Sequence, residues 1–214
     1  MDIFSAEKRK TLKIYYLDTP SKEFKGAGFQ HRIRLYKDEK KFDITYKKQL
    51  PGSLDAAIAE AEAHGFSGDE SNYKFEVDAK GGERIFTISR KEKFKVTPAL
   101  SYEAFDSEAA KKLFIDNVPK KIEAWYGSVL YRQAMEQATV FGPAEAATYE
   151  GSYLGYVADI EVWNKQGDQI VEISTKEQNA VKAEEIEALW RTNLQEAGYL
   201  SDDQSGKTDF IMGN

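Results

Sequence analysis

Two alternating runs within the first fifty residues restrict the folds open to this chain more than any other feature. Phe29-Gln30-His31-Arg32-Ile33-Arg34-Leu35-Tyr36 and Phe42-Asp43-Ile44-Thr45-Tyr46-Lys47 are joined by the charged turn Lys37-Asp38-Glu39-Lys40. Side chains on a strand point to opposite faces with a period of two, so the pattern predicts an antiparallel hairpin. Ile33 and Leu35 fall on one face, with Arg32 and Arg34 on the other. In the second run Phe42, Ile44 and Tyr46 share a face, opposite Asp43, Thr45 and Lys47. One side of the hairpin is therefore core, and the other carries guanidinium and ammonium groups. On a convex sheet that second side is an ordinary solvated surface. On a curled sheet it is a concave cationic one.

The flanking sequence supplies more strands and a few helices. Residues 12–20 read as an aromatic strand ending at Asp18-Thr19-Pro20, followed by a break at Gly26-Ala27-Gly28. Residues 53–65 form an Ala-rich helix with Ser53 as N-cap and Gly65 at its end. His64 lies in its last turn, where a capping role suits it better than ligation. Strands are expected at 73–79 and 84–96, around Lys80-Gly81-Gly82. Between 102 and 137, Ser107 is a candidate cap for a helix through Phe114, and Pro119 a candidate start for another. Ile122, Trp125, Tyr126, Val129 and Leu130 make a helical packing stripe. Strands return at 146–151, 155–163 and 169–175. An amphipathic helix over 181–198 then presents Ile186, Leu189, Trp190 and Leu194 on one face. No repeat or linker interrupts the pattern. The expectation is one α+β domain over residues 1–200 around a large antiparallel sheet, with a polar, partly loose tail at 201–214.

Composition removes several chemistries. Cys is absent and only His31 and His64 are present, which excludes a thiolate nucleophile, Cys-ligated metal and a His-rich metal cage. No P-loop, Rossmann glycine fingerprint or His-Glu-x-x-His occurs. The 41% hydrophobic content is that of a globular chain, and no apolar run is long enough to cross a bilayer. No signal peptide opens the sequence, so a soluble chain is expected whose compartment stays open. The net charge of −6 argues against a nucleic-acid duplex as partner, although Lys and Arg are concentrated in the first fifty residues. Among the acids, Asp159-Ile160-Glu161 places two carboxylates on one face of a strand, roughly 7 Å apart. Such a pair is either a solvated surface or a site for a hard cation.

The order of these pieces resembles the CYTH, or triphosphate tunnel, superfamily. The N-terminal part of the resemblance runs through residues 12–48: an aromatic strand ending in Asp18-Thr19-Pro20, then Gly28, then Arg32-Ile33-Arg34, a charged turn, and a strand reaching Lys47. The C-terminal part, over 146–198, is Tyr149-Glu150-Gly151, then Asp159-Ile160-Glu161, then the amphipathic helix. The resemblance implies an antiparallel barrel or strongly curled sheet with flanking helices, holding a small anionic or polyanionic ligand. By the same resemblance Arg32, Arg34 and Lys47 grip the anion, and Arg90 and Arg132 are looser matches to later basic positions. Asp159 and Glu161, with Glu150, would hold Mg²⁺ or Mn²⁺ for hydrolysis of a triphosphate or polyphosphate. A binding module without catalysis, nucleotide cyclisation, and an enzyme acting on an acidic glycan are the other readings. The Glu-x-Glu-x-Lys strand of the family has no counterpart here: Ser5-Ala6-Glu7-Lys8-Arg9-Lys10 precedes the aromatic strand directly. Binding is therefore expected to outlast turnover.

Overall fold

In the computed structural model, which describes residues 2–202 and 205–213, fifteen strands and α-helices follow one another. They are β1 (Glu7–Asp18), α1 (Glu23–Gly26), β2 (Phe29–Tyr36), β3 (Lys41–Leu50), α2 (Leu54–Ala63), β4 (Lys74–Lys80) and β5 (Glu83–Lys95). Then come α3 (Ser107–Asn117), α4 (Lys120–Tyr126), α5 (Ser128–Glu136), β6 (Thr139–Tyr153), β7 (Tyr156–Lys165), β8 (Asp168–Ser174), α6 (Ala180–Glu196) and α7 (Lys207–Met212). The strand order is β4-β5-β3-β2-β1-β6-β7-β8. The pairings β1/β2, β2/β3, β3/β5, β4/β5, β6/β7 and β7/β8 are all antiparallel. The class is α+β, as expected, and the sheet is open, with β4 and β8 as its edges. No helix among the described residues is long and apolar enough to cross a membrane.

The chain divides into two compact units, one of residues 12–143 and one of residues 1–11 with 144–214. In the first, the predicted hairpin pairs Ile33 with Ile44 and Arg32 with Thr45. The apolar face of its strands, including Tyr15, Phe29, Ile33, Leu35, Phe42, Ile44, Tyr46 and Ile88, packs with Ala57 and Ala61 of α2, Phe114 of α3, Ile122 of α4 and Tyr131 of α5. Each such fully buried large apolar side chain contributes about 1.5–3 kcal/mol. Asp18, 1% exposed, closes β1 by accepting the backbone N–H groups of Thr19, Phe24 and Lys25 at 2.7, 2.9 and 2.8 Å. The Asp-Thr-Pro turn is therefore a carboxylate satisfying donors that the short helix α1 leaves open.

Two local expectations change here. Asp106, not Ser107, caps α3, accepting Ala109 N–H at 2.9 Å. The stripe from Ile122 to Leu130 is not one helix face. Gly127, at φ +98°, ends α4 and starts α5, leaving Val129 69% and Leu130 61% exposed.

In the second unit, Ile186, Trp190 and Leu194 of α6 cover Phe4, Tyr153, Ala158 and Ile160. Leu189 stays at the rim, 40% exposed. Gly151 is required by close approach: a Cβ there would lie 2.3 Å from the carbonyl oxygen of Phe4 and 2.9 Å from the Cα of Ala6. Residues 203, 204 and 214 of the expected tail lie outside the described residues. Within this segment residues 207–212 form α7, with Ile211 and Met212 1% and 7% exposed. The signal was present in Phe210-Ile211-Met212, an apolar run inside a polar segment.

Candidate functional site

The site builds from β2, β3 and β5 in the first unit. Gln30, Arg32 and Arg34 alternate with buried Phe29, His31, Ile33 and Leu35, so their side chains emerge from the face opposite the helices. The register places Lys47 across from Gln30, and Asp43 across from Arg34. On β5, Lys91 pairs with Thr45 and Lys93 with Asp43. Cross-strand partners share a face, so Arg32, Arg34, Lys47, Lys91 and Lys93 form one cationic array. Asp43, 4% exposed, is its internal counter-charge: it accepts Tyr36 Oη at 2.8 Å and lies 3.6 Å from Lys91 Nζ.

Lys91 senses its neighbours electrostatically. Burial depresses the Lys91 ammonium below its ordinary value; Asp43 works against this, while Arg34, Arg32 and Lys93 add to it. The Nε–H of Arg32 is shut off from solvent and has no acceptor. A buried guanidinium donor without a partner costs free energy that an anion would recover. Lys47 is engaged, 2.6 Å from Asp78 of β4, yet Asp78 is nearly half exposed and the pair is open to exchange. Lys91 and Lys93 were missed in the sequence, although Lys91-Glu92-Lys93-Phe94-Lys95 alternates as plainly as the hairpin does.

Arg90 and Arg132 do not join this array. Arg90 pairs with Tyr46 in the β3/β5 register, on the helix-covered face, and its Nε lies 2.8 Å from Glu92. Arg132 is on α5, with its Nε 2.9 Å from Glu123. A shift of one residue on a strand reverses the face, and both arginines have carboxylates of their own. The helix-covered side also holds a cleft of about 550 Å³ lined by Phe29, Lys48, Trp125 and Tyr126. There Lys48 Nζ donates to Ala27 O at 2.8 Å and lies 4.8 and 5.3 Å from the Phe29 and Trp125 rings. His31 is 1% exposed, packed among Phe24, Tyr46, Phe114 and Tyr131. His64 stacks on Trp125, with centroids 4.1 Å apart.

In the second unit Glu150, Asp159 and Glu161 do share a face, together with Glu172: Glu150 is paired with Asp159, and Glu161 with Glu172. This fits the sequence reading of Asp159 and Glu161. The expected metal does not fit them as they stand. Glu150 Oε1 lies 2.7 Å from Arg9 Nη2, and Glu161 Oε2 accepts from both Trp163 Nε1 at 2.9 Å and Lys207 Nζ at 2.8 Å. Among the described residues no group of three or more His, Asp or Glu side chains is arranged to hold a metal ion.

Comparison with solved structures now bears on the fold. The candidate adenylyl cyclase HpAC1 from Hippeastrum, described as having a dominant triphosphatase activity, matches over 95% of this chain and 81% of its own, at 11% identity and a TM-score of 0.56. A candidate adenylate cyclase from Bacillus halodurans matches over 97% of this chain and 96% of its own, at 13% identity and a TM-score of 0.52. The fold is CYTH-like. No family model and no curated protein sequence matches the chain.

Proposed function

We propose that this protein binds a triphosphate or polyphosphate anion on the face formed by β2, β3 and β5, and that binding rather than hydrolysis is its principal activity. The observation that carries the reading is the shared face of Arg32, Arg34, Lys47 and Lys91, with the Arg32 Nε–H lacking an acceptor. Arginines two residues apart on one strand have backbones about 7 Å apart and point to the same side, so their long side chains can close on one phosphate chain from two points. Lys47 and Lys91 add charge from the next two strands on the same face. Triphosphatase activity is the property described for HpAC1, which shares this fold, and supports a triphosphate as the ligand class.

Hydrolysis ranks below binding because of the carboxylates. In-line attack on a phosphoryl group needs strong charge neutralisation and a positioned water. Of the acids that the resemblance assigns to a divalent ion, Glu150 is paired with Arg9 and Glu161 with Lys207, and among the described residues no group of three is arranged to hold a metal. No catalytic step is therefore assigned to Asp159 or Glu161.

The test is calorimetric titration of tripolyphosphate into the full chain and into Arg32→Gln and Arg34→Gln variants. Each loss of a charge-assisted contact should weaken binding by about tenfold or more. Unchanged affinity in both variants would place the ligand elsewhere.

A further inference from the structure

Four carboxylates occupy one face of β6, β7 and β8, and two of them, Glu161 and Glu172, stand directly across from each other. Like charges directly opposite on neighbouring strands repel, so the arrangement needs compensating positive charge. For Glu150 it comes from Arg9, and for Glu161 and Glu172 from Lys207. Lys207 Nζ lies 2.8 Å from Glu161 Oε2 and 2.5 Å from Glu172 Oε1, bridging the two strands. Its side chain is 19% exposed, and the ammonium sits 5.4 Å from the Trp163 ring centroid. Trp163 in turn fixes Glu161 by donating Nε1–H to the same Oε2.

The helix that delivers Lys207 is capped at its start and held to β7 at its end. Asp209 accepts the Gly206 N–H at 3.3 Å at the start of α7. At its other end Lys165, on the same face of β7 as Glu161, donates to the carbonyls of Ile211 at 2.6 Å and Phe210 at 3.4 Å. Those carbonyls are among the acceptors a helix C-terminus leaves open, and a cation there also complements the helix dipole. With Ile211 and Met212 buried, α7 is a packed strap rather than a loose end.

We infer that Lys207 is a resident counter-cation, taking the position between Glu161 and Glu172 that a divalent ion would otherwise be needed to fill. Of the three carboxylates that the family resemblance assigns to a metal, Glu161 thus takes its compensating charge from residue Lys207 of the same chain. This inference does not rest on the anion-binding reading, because it concerns the second unit alone and is read out by stability.

The experiment uses the full chain, measuring Tm in EDTA and in millimolar Mn²⁺, with calorimetric titration of Mn²⁺ alongside. The unsubstituted protein should have the same Tm in both conditions and take up no Mn²⁺ on this face. Lys207→Met, which keeps the apolar stem and removes the charge, should lower Tm by several degrees in EDTA and regain most of it in Mn²⁺. Adding Glu172→Gln to Lys207→Met should restore Tm in EDTA, because one negative charge no longer needs an offset. That rescue also covers the case in which Lys207→Met does not fold. The inference is overturned if Lys207→Met leaves Tm unchanged. It is also overturned if neither Mn²⁺ nor Glu172→Gln restores stability, since Lys207 would then act only through packing. Tight Mn²⁺ uptake by the unsubstituted protein, equal in Lys207→Met, would likewise overturn it.

Discussion

At the residue scale, His31 shows how a polar side chain can be spent on packing. Burial alone pulls its imidazole down to about 3, from 6.5, and neither ring nitrogen has a hydrogen-bond partner. The sign of its effect follows from linkage. Below pH 6.5 the unfolded chain takes up a proton that the native protein refuses until about pH 3. Stability should therefore fall as pH drops through that window, by at most about 1.4 kcal/mol per pH unit from this group. His31→Leu should flatten that fall, as measured by urea unfolding at a series of pH values. An acid limb identical in the variant would mean that His31 is solvated in the native protein. Asp18 works the other way at the acid end, because burial holds its carboxyl above 3.8 despite three N–H donors. The same residue is why the Asp-Thr-Pro signature was legible as a turn: Asp18→Ala would strand the backbone donors of Thr19, Phe24 and Lys25, costing about 2–3 kcal/mol or more. Chemical unfolding of that variant checks the figure.

At the element scale, alternation and caps carried most of the information. The hairpin of β2 and β3 and the helix α2 after Ser53 lie close to where residue pattern places them, because each rests on a local rule. The stripe between Ile122 and Leu130 misled because helical spacing continues unbroken through Gly127, and only the φ of +98° there separates α4 from α5. β1 begins at Glu7, further upstream than its aromatic core suggests, because exposed Glu7-Lys8-Arg9-Lys10 has no alternation to read. Its extension matters: Arg9 reaches Glu150 on β6. The pairing of β6 with this N-terminal segment depends on the missing side chain of Gly151. Gly151→Ala would drive a Cβ into the Phe4 carbonyl and the Ala6 backbone, neither of which is a flexible side-chain end. The expected result is a loss of about 1–3 kcal/mol, with faster amide exchange at Phe4 and Ala6. Full retention of stability in Gly151→Ala would contradict the close approach.

At the scale of the whole molecule, a protein of net charge −6 gathers five cations, Arg32, Arg34, Lys47, Lys91 and Lys93, on one face of three strands. Composition could not reveal this, since a sum hides distribution. The phase of Arg32 and Arg34 was readable from two strands. The contribution of Lys91, and the exclusion of Arg90 beside it, depended on the register of β3 against β5, a long-range pairing that no local pattern encodes. The acidic pair Asp159 and Glu161 was likewise visible. The pairing of Glu161 with Lys207, 46 residues away along the chain, was not. Because the proposed anion site is a cluster of partly exposed cations, tripolyphosphate affinity should fall steeply as salt rises. Weak salt dependence would point to an uncharged mode of recognition.

The most direct test of the anion-binding claim follows the arginine Nε–H signals by NMR while tripolyphosphate is added. Arg32 Nε–H, shielded and without an acceptor, should shift strongly and gain protection from exchange. Arg90 and Arg132, whose Nε groups lie 2.8 and 2.9 Å from Glu92 and Glu123, should stay where they are. Movement of Arg90 or Arg132 with Arg32 unperturbed would contradict the account.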